Sequence, residues 1–158
     1  MGEQDEKEMS REEMLRILGE EDTGVLCLSK SDEPYGVTVS YALIGGEIVF
    51  HCKKTGKKID FIHANPRACF VVSRHPERTK PHKAEDGCNF KFESVVCTGS
   101  ARIVEDLFER FQYLQKFKEH FDKRLAAGSE EDEITEATAE KVSIVAVSID
   151  EMTGRRSG

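Results

Sequence analysis

No apolar run in this sequence approaches the length of a bilayer span, so a transmembrane helix is not expected. Met1 to Met9 is rich in Glu, Asp and Lys with no apolar stretch behind it, which argues against a signal peptide. The five cysteines (Cys27, Cys52, Cys69, Cys88 and Cys97) are odd in number, widely spaced and without a C-x-x-C pair. That pattern fits free thiols in a reducing compartment, and a cytoplasmic location is expected. Positive charge is short: the formal net charge is −7, which argues against general binding to nucleic acid or an anionic membrane surface. There is no internal repeat and no low-complexity tract. A G-x-G-x-x-G is missing, and so is a Gly five residues before Gly56, which removes a dinucleotide fold of the Rossmann type and a P-loop.

What is present fits one domain, 1–158, able to bury a real core. Residues 1–9 are expected to be disordered. Ser10 and Glu13 have capping-box spacing, and Met14, Leu15, Ile17 and Leu18 follow as one apolar face, predicting a helix over 10–20. Strands are predicted over 23–29, 35–43, 47–52, 68–73, 90–104 (bent at Gly99) and 142–149. Lys30 to Pro34 and Gly45-Gly46 supply hairpin turns. A short helix through Ala64 ends at Asn65-Pro66, and an amphipathic helix occupies 105–125. A long loop is expected from Arg74 to Gly87, a loop or frayed helix from Ala126 to Ala139, and a basic tail after the last strand. Six strands, linked mostly by tight turns, predict a mainly β protein, an antiparallel sheet closed into a barrel with its core over 23–104 and flanking helices.

Lys53-Lys54-Thr55-Gly56-Lys57-Lys58 is the most informative segment, four lysines and a glycine between a strand end and a helix start. A helix N-terminus presents unpaired N–H groups and the positive end of the helix dipole, so it suits a phosphate. Lys57 and Lys58 oppose that dipole unless an anion compensates them. The bland alternative is a solvated basic loop. His51 and Cys52 stand at the mouth of this loop, where a histidine can stack on or hydrogen-bond a flat ligand; a partly buried structural histidine is the competing reading.

Val49-Phe50-His51-Cys52, then Thr55-Gly56-Lys57-Lys58, then Ala64-Asn65-Pro66 and an apolar strand resemble the FMN-binding split-barrel superfamily, which includes pyridoxamine 5′-phosphate oxidase. Within it the pattern is similar to the nitroimidazole-resistance (Nim) flavoproteins. Pro34-Tyr35 with Val37 and Val39, Phe92-Glu93-Ser94-Val95, Gly99 with Ala101, and Thr153-Gly154-Arg155 support the match. The resemblance implies a six-stranded antiparallel Greek-key split barrel that forms a homodimer with FMN at the subunit interface. It places Lys57 and Lys58 on the phosphate, His51 and Cys52 along the ribityl chain and ring, Val37, Thr38, Val39 and Ser40 along the isoalloxazine, and Ser94 at the ring or its polar edge. Tyr35 stands where pyridoxamine phosphate oxidases carry Arg, and the chain has no Trp, so vitamin B6 oxidation is disfavoured. Phe92 replaces a tyrosine usual in the Nim group.

The function expected on this footing is an FMN-dependent oxidoreductase, with NAD(P)H or another reductase as donor and a small acceptor, a nitroaromatic among them, and with His51 as the candidate catalytic residue. The alternatives are a flavin carrier, electron-transfer partner or sensor without catalysis, and a haem- or deazaflavin-binding relative. His75, His82 and Cys88 match no standard zinc spacing, so no metal site is expected. Cys52 reads better as a small side chain beside the ligand than as a nucleophile. The acidic run from Ser129 to Glu136 reads as a solvated loop, and the Phe-rich helix as core or dimer packing.

Overall fold

The computed structural model describes residues 7–75, 92–124 and 134–156. Its elements, in chain order, are β1 (Lys7–Glu8), α1 (Arg11–Glu20), β2 (Thr23–Lys30), β3 (Glu33–Ser40), β4 (Ala42–Ile44), β5 (Glu47–Lys53), α2 (Lys57–Ala64), β6 (Arg67–Arg74), β7 (Glu93–Ile103), α3 (Leu107–Arg124), α4 (Glu136–Lys141), β8 (Val142–Val147) and β9 (Glu151–Arg156). His82 and Cys88, most of the loop after Arg74, and 129–133 of the acidic run lie outside the described residues.

The strands form one antiparallel sheet in the order β3-β2-β6-β7-β8-β5-β4, with β9 on β7 and β1 on β9. The strands at the two ends of that order, β3 and β4, are separated in sequence by Tyr41 alone, so the sheet curls until its ends meet at that residue. Tyr41 is fully buried, and its hydroxyl donates to the Leu18 carbonyl at 2.6 Å, tying the corner to the end of α1. The single strand predicted over 35–43 is therefore two, because Tyr41 leaves the ladder and gives its N–H to the Asp22 carbonyl instead.

The far side of the barrel turns at Gly99. The β7 strand pairs with β6 from Glu93 to Ser100, but its other edge changes partner, from β9 (through Thr98) to β8 (from Ala101). At the change the backbone of Ser148 presses on Gly99: a Cβ there would lie 1.8 Å from the Ser148 carbonyl oxygen, which only a glycine avoids.

The expected mainly β barrel with flanking helices is the observed fold, but six strands are too few: the described residues hold nine. Two of the additions come from the chain ends. Thr153-Gly154-Arg155-Arg156, read as a basic tail, is strand β9, because β7 offers it a free edge. Lys7 and Glu8, read as disordered, then pair with Arg156 and Arg155, and Met9 is buried behind them.

Two apolar clusters share the middle of the sheet. Ile48 and Phe50 of β5 and Val145 and Val147 of β8 face the barrel interior, while Val49, Ile144 and Ala146 face outward under α3 and α4. Strands covered on both faces read as unbroken apolar runs, and Ile48-Val49-Phe50 and Ile144-Val145-Ala146-Val147 are such runs. The β5 run ends at His51, where the strand emerges from beneath α3.

Candidate functional site

At that emergence lies an open cleft of about 760 Å³, lined by Thr38, Val39 and Ser40 from the end of β3, His51, Cys52 and Lys53 from β5, Thr55, Gly56, Lys58 and Ile59 at the start of α2, and Lys141 and Val142 where α4 passes into β8. Hydrogen bonding between β5 and β8 sets Lys53 opposite Val142, which brings Lys141 to the same mouth from a distant part of the sequence.

One wall is the start of α2. Gly56 is the N-cap, with φ 144° and ψ 179°, a conformation that belongs essentially to glycine. No side chain caps this helix. Lys57 and Lys58 follow in its first turn together with Asp60, so uncapped N–H groups and two lysine charges meet at one helix end. Lys58 turns into the cleft. Lys57 turns the other way: its ammonium lies 3.6 Å from the Glu33 carboxylate and 4.7 Å above the Tyr35 ring. Among the described residues no carboxylate pairs with Lys53, Lys58 or Lys141.

His51 and Cys52 alternate at the strand end. The His51 ring is exposed to the cleft, yet it meets the Phe117 ring of α3 edge-on, with centroids 5.0 Å apart. The protein around it lowers the imidazole pKa from its ordinary value by desolvation. His51 is therefore a neutral imidazole at neutral pH, able to donate from one nitrogen and accept at the other. Burial pushes the Cys52 thiol up, opposed only in part by the Lys58 charge. A protonated thiol is a poor nucleophile, so Cys52 acts here as a small wall residue.

Of the residues singled out in the sequence, Thr38, Val39, Ser40, His51, Cys52 and Lys58 come together in the cleft. Val37 shares the face of β3 with Val39 and packs on the barrel core, but it does not line the cleft. Ser94 lies on β7 between Ser73 and Arg155, away from this cleft. His75 belongs to no cluster that could hold a metal among the described residues. Lys141 is the residue that sequence reading missed, since only the β5–β8 ladder makes it a neighbour of Lys53. Among the described residues no helix is long and apolar enough to cross a membrane.

The geometry has counterparts in solved structures. The chain is similar to a candidate 5-nitroimidazole antibiotic resistance protein from Bacteroides thetaiotaomicron, with TM-score 0.75, 20% identity, and 97% of this chain and 89% of that one covered. It is similar to an FAD-binding protein from Mesorhizobium loti, with TM-score 0.70, 22% identity, and coverage of 97% and 99%. A third likeness is to the FAD and heme binding protein from Mycobacterium smegmatis, with TM-score 0.79, 17% identity, and coverage of 94% and 71%. At these identities the likeness speaks for the fold. A Rhizobium meliloti (strain 1021) protein is 32% identical over 92 residues, 58% of this chain, so the match spans about half (52%) of that relative's length. The family model described as pyridoxamine 5′-phosphate oxidase matches residues 10–156, nearly the whole chain, and the chain belongs to that family.

Proposed function

We propose that this chain is a flavin-dependent oxidoreductase that takes FMN in the cleft at the start of α2. The observation that carries this reading is the convergence of an uncapped, glycine-initiated helix start with Lys58 on one wall, and Thr38 to Ser40 and His51 on the adjoining ones. Lys58 and the first N–H groups of α2 hold the phosphate. The end of β3, with its small side chains and edge backbone, accepts the flat ring, and neutral His51, buttressed by Phe117, meets the ligand or a second substrate as a hydrogen-bonding group. The flavin supplies the redox chemistry, while the protein binds, orients and shields it. The electron donor in this proposal is a reduced nicotinamide or another reductase, and the acceptor is a small molecule of the nitroaromatic kind, in keeping with the Bacteroides structure.

The proposal includes a homodimer with the flavin between subunits. Ser94 lies outside the cleft of its own barrel, so it meets the ring only when a second copy supplies it. Light scattering during gel filtration, with a mass twice that of the 17.8 kDa chain, is the expected result.

A second reading concerns the cofactor. Lys53 and Lys141 add positive charge beyond Lys58, which favours a diphosphate and hence FAD, as in the Mesorhizobium and Mycobacterium proteins. Purified protein that keeps absorption bands near ~370 and ~450 nm after desalting carries flavin, because those bands belong to the cofactor. Chromatography of the released flavin separates FMN from FAD. Steady-state oxidation of NADH or NADPH with a nitro compound then tests the enzyme: turnover supports it, and flavin reduction without transfer to an acceptor supports a carrier. The His51→Ala protein is expected to keep flavin and lose turnover; unchanged turnover removes His51 from the chemistry.

A further inference from the structure

We propose that Cys27 and Cys69 form a redox modification site, a facing pair of thiols on the outer surface of the barrel that hydrogen peroxide converts to a reversible intrachain disulfide. The inference is independent of the cleft and of any flavin.

The two residues are direct partners in the antiparallel β2–β6 ladder. Partners so placed have Cα atoms about 4.5–5.5 Å apart, within the roughly 4.4–6.8 Å that a disulfide spans. No change of register is required. Both side chains lie on the same face: β2 buries Gly24, Leu26 and Leu28 inward and turns Cys27 out, and β6 buries Ala68, Phe70 and Val72 and turns Cys69 out. Each is half-buried, open enough for a small oxidant. On the other flank of Cys27 the β3 partner is Gly36, which has no side chain to cover the sulfur. The neighbouring Cys27 adds to the rise of the Cys69 pKa, and the Cys27 S–H donates to the Val25 carbonyl at 4.0 Å.

The other described cysteines are placed differently. Cys97 points into the barrel, fully buried, and desolvation pushes its thiol up to about 12. Its ladder partners are Phe70 and Met152, and that of Cys52 is Ser143.

In the first step the Cys27 thiolate attacks one peroxide oxygen, the O–O bond breaks, and the departing hydroxide is protonated to water. The Cys69 sulfur then attacks the resulting sulfenic acid: the S–S bond forms, the S–O bond breaks, and hydroxide leaves with the Cys69 proton as a second water. Two thiols have lost two electrons, and one peroxide has become two waters. Burial, and next the neighbouring Cys27, raise the Cys69 pKa, which assigns Cys69 the resolving step and makes closure faster as the pH rises.

The test treats the purified full chain with hydrogen peroxide, alkylates the remaining thiols, and reads intact mass and a non-reduced peptide map. The expected result is a monomeric chain lighter by two hydrogen atoms, a crosslinked Cys27–Cys69 peptide, full reversal by dithiothreitol, and faster closure at higher pH. Cys69→Ser is expected to abolish the crosslink and leave a sulfenic acid on Cys27 that dimedone traps, while Cys52→Ser and Cys97→Ser keep the crosslink. A bridge that joins any other pair, a bridge between chains, or thiols that stay reduced while methionines oxidise would overturn the proposal.

Discussion

Two helix starts in this chain are built to opposite plans. At α1, the Ser10 hydroxyl accepts from the Glu13 N–H, the Glu13 carboxylate accepts from the Ser10 N–H, and Glu12 and Glu13 place negative charge against the helix dipole. Arg156 from the last strand completes that end, its guanidinium 3.0 Å from Glu13. At α2 the cap is Gly56, no side chain caps the helix, and Lys57 and Lys58 open the first turn ahead of a single carboxylate, Asp60. One terminus is complete within the chain; the other leaves its first N–H groups uncapped and Lys58 facing the cleft with no carboxylate paired to it among the described residues. A local conflict of this kind is the ground on which a binding site is proposed at this helix start.

The comparison can be broken most directly at Lys58. Lys58→Ala is expected to weaken FMN binding by about 10- to 100-fold, the loss of one charge-assisted hydrogen bond of roughly 1.5–3 kcal/mol, while the ligand-free protein becomes slightly more stable because a cation has left the positive end of the dipole. Opposite signs in a flavin titration and in urea unfolding are the signature; a parallel loss of both would make Lys58 a structural residue.

Gly56→Ala comes next. A Cβ there meets nothing within 4 Å, so the substitution tests conformation alone. Urea unfolding should show a loss of about 1–3 kcal/mol, accompanied by weaker flavin binding as the first turn shifts. Ser10→Ala supplies the counterpart at the satisfied end: about 1 kcal/mol of stability lost and flavin affinity unchanged.

The smallest effect is a pH dependence. His51 has its pKa depressed below the ordinary 6.5 by desolvation, so the folded chain binds fewer protons than the unfolded one just below that pH. Its contribution is present above pH 6.5, falls as the pH drops through the window beneath, and is gone below the folded-state value. Wild type minus His51→Gln, followed by urea unfolding from pH 7.5 to 5, should show this slope, and bound flavin phosphate should move the imidazole resonance toward a higher pKa.

Much of this was legible locally. Ser10 with Glu13, Gly45 with Gly46 (φ 58° and 79°) and Asn65-Pro66 each act within a few residues, and the structure uses each as expected. What escaped was set by distant partners. Strand β9 reads as a polar tail because its ladder is supplied by β7, and Tyr41 reads as one more strand residue because its partners are Leu18 and Asp22. At the site, composition puts Lys57 and Lys58 on equal terms. Only Glu33 and Tyr35, across from α2, separate the lysine that is already paired from the one left facing the cleft.

The central claim is that the start of α2 waits for a phosphate, and a paired titration of the flavin-free protein tests it. FMN and riboflavin carry the same ring and differ in the phosphate alone. Followed by flavin fluorescence, FMN is expected to bind at least about tenfold more tightly than riboflavin, with the difference shrinking in Lys58→Ala. Equal affinity for the two, or no binding of FMN at all, would contradict the account.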